Sequence, residues 1–139
     1  MRMTIFSTRA FASILALSLA GCSPDYAVDG TWERCCASGD HFGSYVMQLR
    51  RDGDRITGLA CRLSSGYRIF SDRPVAGTYP RMSFDFSLDN SGSLLMDLMI
   101  VQENLITGTD NNPGTNATYD FAPAPGGAYE ACARAPAPQ

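Results

Sequence analysis

Between Arg81 and Leu88 the chain alternates without a fault, with Met82, Phe84 and Phe86 on one side of an extended backbone and Ser83, Asp85 and Ser87 on the other. A period of two belongs to a half-buried β-strand and not to an amphipathic helix. Such a strand needs an apolar interior on one face and solvent on the other. The same period runs from Ser44 to Arg51, where Tyr45, Met47 and Leu49 alternate with Val46, Gln48 and Arg50. Further strands are predicted over Gly30 to Cys36, Arg55 to Leu63, Tyr67 to Ser71, Pro74 to Tyr79, Leu94 to Val101 and Leu105 to Thr109. Tyr119 to Phe121 and Tyr129 to Cys132 complete the set as shorter strands, and no helix is expected before the end of the chain. Asp52-Gly53-Asp54 and Asn90-Ser91-Gly92 carry the residues that tight hairpins require.

Strands joined by such short links form an antiparallel meander. Arg55-Ile56-Thr57-Gly58 and Leu105-Ile106-Thr107-Gly108 each follow an apolar strand, a repeat that points to a closed, pseudo-symmetric sheet. Closure removes the exposed edges that an open meander presents. The predicted fold is therefore all-β, a small antiparallel up-and-down β-barrel of about eight strands, stapled by disulfides and spanning residues 30–133. Phe84, Phe86, Met96 and Leu98 are the expected filling of its interior.

The start of the chain obeys a different logic. Arg2 and Arg9 precede an apolar run from Ala10 to Ala20 that ends in Leu19-Ala20-Gly21-Cys22. The run is too short for a membrane span, which takes ~20 residues. The four residues resemble the lipobox of bacterial lipoproteins. That resemblance implies removal of residues 1–21, a lipidated Cys22 at the new N-terminus, and a periplasm-facing anchor in the cell envelope. Ser23, where an aspartate would favour the inner membrane, points to the outer one. Residues 22–29 would then be a short tether reaching at most ~28 Å, and residues 134–139, rich in Ala and Pro, a flexible tail.

Beyond Cys22, the cysteines Cys35, Cys36, Cys61 and Cys132 remain, an even number for an oxidising compartment. A bond between the neighbours Cys35 and Cys36 would be strained, so each is expected to bond elsewhere, with Cys61 and Cys132 as partners. In a strand, one of the neighbours faces inward and the other outward. Gly30-Thr31-Trp32 resembles the first-strand G-x-W of lipocalins and related calycin barrels. That resemblance implies a different pairing, Cys132 with Cys61, alongside the same barrel architecture. A metal site from Cys35, Cys36, Cys61 and His41 is disfavoured, because adjacent cysteines do not readily point at one ion.

Every basic residue is arginine. Eight arginines lie between Arg34 and Arg81 against four aspartates, whereas Met82 to Ala133 holds seven acids and no base. The two halves are expected to complement one another within the barrel or to present a two-signed surface to a partner. Net acidity argues against nucleic acid as that partner.

Catalytic signatures are few. Ser38, Asp40 and His41 stand too close in sequence to form a relay readily, and no C-x-x-C, G-x-S-x-G or H-E-x-x-H is present. Asp110 to Asn116 has too few carboxylates for a calcium loop. The segment Cys61 to Arg68 is the candidate binding element, since Arg62, Ser64, Ser65, Tyr67 and Arg68 bring arginine, hydroxyl and aromatic groups to an expected loop tip. Its composition is similar to a loop of small envelope lysozyme inhibitors, which are lipidated β-barrels, and this implies inhibition of a hydrolase. The sequence thus reads as a non-enzymatic, lipid-anchored envelope protein, without cofactor or metal, that binds a protein partner as inhibitor, immunity protein or assembly factor. The alternative is a lipocalin-like carrier of a small apolar ligand, and a periplasmic hydrolase is the least favoured.

Overall fold

The computed structural model describes residues 24–34, 44–88, 92–111 and 118–139. The expected lipobox, Cys22, Cys35, Cys36 and the Ser38-Asp40-His41 group lie outside them. Nine strands follow one another in the chain: β1 (Gly30–Arg34), β2 (Ser44–Asp52), β3 (Arg55–Ser64), β4 (Tyr67–Phe70), β5 (Val75–Thr78), β6 (Arg81–Leu88), β7 (Gly92–Gln102), β8 (Leu105–Asp110) and β9 (Thr118–Pro123). Each pairs antiparallel with its neighbours, and β9 returns to β1 through Trp32 opposite Pro123 and Glu33 opposite Ala122. The sheet therefore closes as an eight-position up-and-down barrel.

Nine strands make only eight positions in the ring. β4 and β5 are two pieces of one wall, both lying along β3: Cys61 to Ser64 pair with β4, and Arg55 to Gly58 with β5. Pro74, which has no N–H to give to a ladder, stands at the break between them.

Inward positions are apolar along most of the barrel. Met47, Ile56, Val75, Phe86, Met96, Ile106 and Phe121 are fully buried, with Trp32, Tyr45, Phe84, Leu98 and Tyr119 nearly so. Outward positions such as Gln48, Arg50, Asp97 and Asp120 are exposed. This polarity is the reverse of a barrel that spans a bilayer, whose lipid-facing exterior is apolar. Among the described residues no helix is long and apolar enough to cross a membrane.

The Ile-Thr-Gly repeat has a packing cause. Gly58 sits opposite Leu49 and Gly108 opposite Leu98, on hairpins that lie across the ring from one another. A Cβ on Gly58 would come 2.3 Å from the Gln48 carbonyl oxygen and 2.9 Å from Leu49 Cδ2. On Gly108 it would come 2.0 Å from the Asp97 oxygen and 2.6 Å from Leu98 Cδ2. Each glycine lets a leucine of the preceding strand fold across the interior, while Ile56 and Ile106 fill matching core positions.

The end of the chain departs from expectation. Residues predicted as a strand over Tyr129 to Cys132 form a helix, α1 (Ala128–Arg134). Gly127 reverses the chain at φ 96° ahead of it, and Ala, Glu and Arg favour the helical state. Tyr129 and Cys132, three apart, face the outside of the barrel and meet Val46, Cys61 and Leu63 in a second small core. The wall beneath α1 is thus buried on both faces, which explains the consecutive buried residues Tyr45, Val46 and Met47 in β2.

The disulfide joins Cys61 to Cys132. This is the pairing implied by the calycin resemblance, and it corrects the alternative in which those two cysteines bond Cys35 and Cys36. The physical reason is the helix: it brings Cys132 onto the outer face of β3, where Cys61 points. With its sulfur so engaged, Cys61 has no thiolate to give to a metal.

Both flanks are more firmly held than expected. Val28, within the expected tether, is 1 % exposed and belongs to the main core. At the other flank Arg134 ends the helix, and the Pro136 carbonyl accepts a hydrogen bond from the Arg68 backbone N–H. The expected tail is therefore fastened as far as Pro136.

Candidate functional site

The candidate binding segment occupies the β3–β4 hairpin. Ser64 pairs with Tyr67, leaving Ser65 (φ 52°) and Gly66 (φ 82°) as the two central turn residues. Positive φ at both is the type I′ geometry that matches strand twist. Ser65 is a side-chain-bearing residue in a conformation that favours glycine, at a cost of ~1–2 kcal/mol. The Tyr67 ring is 40 % exposed beside it, so the tip is short, rigid by its pairing, and tipped by one aromatic.

The two arginines of the segment differ in placement. Arg62 is 7 % exposed and faces inward, because it shares the parity of the core residue Ala60 and sits opposite Tyr45. Its guanidinium carbon lies 5.4 Å from the centroid of the Tyr45 ring. Arg68 faces outward and donates from Nη1 to the carbonyls of Ala133 (3.1 Å) and Ala135 (2.8 Å), satisfying orphan acceptors at the end of α1. Arg62 is thus buried below the tip, whereas Arg68 stays half-buried on the outer face beside it. Ser64, Ser65 and Tyr67 remain at the tip.

Sequence reasoning missed a polar layer beneath this end of the barrel. Arg34, Tyr45 and Arg62 stand side by side on β1, β2 and β3. Arg34 lies over the Tyr119 ring at 4.2 Å, and Tyr119 meets Tyr45 edge-on at 5.8 Å. The Tyr119 hydroxyl donates to Asp110 Oδ2 at 2.6 Å. Burial first, and this hydrogen bond second, push the Tyr119 hydroxyl well above the ordinary phenol range. It is therefore a proton holder at neutral pH and not a base. Inward parity with Trp32 and Ala60 was the signal for Arg34 and Arg62, and it was masked by neighbours that are buried on the outer face.

Charge complementarity between the two halves is local. Arg73 Nε approaches Asp85 Oδ2 at 3.7 Å, across the break that separates β4 from β5. Among the described residues no group of three His, Cys, Asp or Glu side chains converges as ligands. Comparison of the chain with protein-family models, with curated proteins and with solved structures returned no match.

Proposed function

We propose that this chain is a lipid-anchored envelope protein, held in the outer membrane through Cys22 and facing the periplasm, that works by binding a protein partner and not by catalysis. The observation that carries this reading is the contrast between interior and tip. The barrel is filled by its own side chains, including Phe84, Phe86, Met96 and Leu98, all no more than 3 % exposed. The Ser64 to Tyr67 turn instead presents hydroxyl groups and an exposed aromatic on a strained, pre-organised backbone. Interfaces draw much of their energy from such aromatic anchors, and rigidity lowers the entropy lost on binding.

The test is photo-crosslinking in the native envelope, with a photoreactive residue replacing Tyr67 or, as a control on the barrel side, Gln48. A discrete protein adduct from position 67 and none from position 48 is expected. A tightly co-purifying apolar small molecule, with no protein adduct at either position, would overturn the reading in favour of a carrier.

A further inference from the structure

The barrel has two unlike ends, and the chain enters at only one. At this entry end lie the β2–β3, β5–β6 and β7–β8 turns, and across it runs the segment 24–29. Three side chains fasten that segment. The Tyr79 hydroxyl donates to the Pro24 carbonyl (3.0 Å) and accepts from the Tyr26 N–H (2.9 Å). The Arg51 guanidinium pairs with Asp25, and the Arg51 backbone N–H donates to Asp29 Oδ1 (2.8 Å). Trp32 Nε1 donates to the Val28 carbonyl (2.8 Å), locking a residue already in the core.

These contacts begin at Pro24, two residues after Cys22. Two residues of chain reach at most ~7 Å. We infer that the entry end of the barrel rests on the lipid headgroup layer and that the Ser64 to Tyr67 turn is the membrane-distal pole. The inference rests on lipidation of Cys22. With the ten residues of β3 at ~3.3 Å rise and a strand tilt near 40°, the distal turn stands roughly 25 Å above the entry-end turns. A partner then meets the protein from the aqueous side.

Charge does not set this orientation. Arg50, Arg55 and Arg81 are interspersed with Asp25, Asp52 and Asp54, all exposed, so the entry end carries no single sign. The short fastened tether sets it, and the arrangement is insensitive to salt, unlike a basic patch held on anionic lipid.

The experiment uses the full chain purified from its native membranes and reconstituted into vesicles of the extracted phospholipids. Mass analysis of the N-terminal peptide first establishes whether Cys22 is lipidated; an unmodified Cys22 defeats the anchoring reading itself. With Cys22 lipidated, a photoreactive residue is placed at Asp54 or at Ser65, and lipid adducts are measured at low and high salt. The expected result is lipid adduct at position 54, none at position 65, and no change with salt. Pairing Tyr79→Phe with Asp25→Ala unfastens the segment and should bring lipid adducts at the two positions closer together. Equal labelling of positions 54 and 65 in the lipidated, unsubstituted background, at any level, overturns the inference.

Discussion

The Arg51 guanidinium carbon lies 3.7 Å from the centroid of the Tyr79 ring, closing the entry end of the barrel with a cation on an aromatic face. Arg34 on Tyr119 repeats the arrangement at the other end at 4.2 Å. An apolar barrel must meet water somewhere, and an arginine stacked on tyrosine makes the transition because its flat, weakly hydrated face covers the ring while its edge stays polar. Arg51→Ala should leave the fold intact and loosen residues 24–29. The expected outcome is faster hydrogen exchange at the Tyr26 amide with little change at strands β6 to β8. Arg51→Lys should rescue only part of it, because an ammonium lacks the planar fork.

The matched glycines of the two hairpins make a sharper stability test. Gly58→Ala and Gly108→Ala force a Cβ against backbone oxygen, at 2.3 and 2.0 Å, a contact that moving the nearby leucine side chains does not relieve. Each should cost about 1–3 kcal/mol or more, as overpacking of a filled core does. Gly53→Ala has open space around it and only an unfavourable φ of +59°, so its cost should be near 1 kcal/mol. Urea denaturation of the three variants checks the ranking, and equal effects would count against close packing at the repeat.

The Cys61–Cys132 bond closes a loop with a sequence separation of 71, for which the chain-entropy model gives about 4 kcal/mol. Cys132→Ala should lower the unfolding midpoint accordingly and free α1 from the outer face of β2 and β3. Its marker is Tyr129, whose hydroxyl is held above the ordinary phenol range by burial and, secondarily, by Glu130. Detachment of α1 should return the titration of that tyrosine toward normal. A midpoint unchanged from the parent would remove the disulfide from the list of staples.

Ser65 separates stability from binding. Ser65→Gly relieves the left-handed backbone and should stabilise the protein by about 1 kcal/mol, whereas Tyr67→Ala should leave stability nearly unchanged and weaken capture of a partner. Thermal unfolding read beside crosslinking yield resolves the two effects. A loss of stability on Ser65→Gly would mean that its side chain, and not its conformation, matters to the turn.

The strands were legible because their outer faces are polar, as in Arg81 to Leu88, where every second residue declares the face. Legibility fails where a wall is covered on both sides. Val46 and Cys61 are buried by α1, so the parity that places Arg62 indoors is blurred by its neighbours, and Arg62 reads from sequence as part of an exposed tip. The helix itself spans seven residues, too few for a period of 3.6 to stand out against one of two. The fastening of residues 24–29 depends on Tyr79 and Arg51, which are distant in sequence and meet that segment only once the barrel has closed. Of the candidate binding residues, the turn chemistry of Ser64, Ser65 and Tyr67 was readable because it is local.

Tyr119 supplies a pH test with a definite sign. Its hydroxyl is held protonated by burial and by donation to Asp110, so its folded-state pKa is far above the unfolded value. A raised pKa on this group means that the native state keeps a proton the unfolded chain releases above about pH 10. The stabilisation is fully present below that pH and is lost as pH climbs toward the folded-state value. Alkaline unfolding should therefore begin above about pH 10 and coincide with the appearance of tyrosinate absorbance from the buried ring. Tyr119→Phe should flatten this alkaline loss while costing about 1–2 kcal/mol at neutral pH, because the hydrogen bond from the hydroxyl to Asp110 is lost. A parent protein whose tyrosines all titrate together near pH 10 while it remains folded would contradict the buried Tyr119–Asp110 pair.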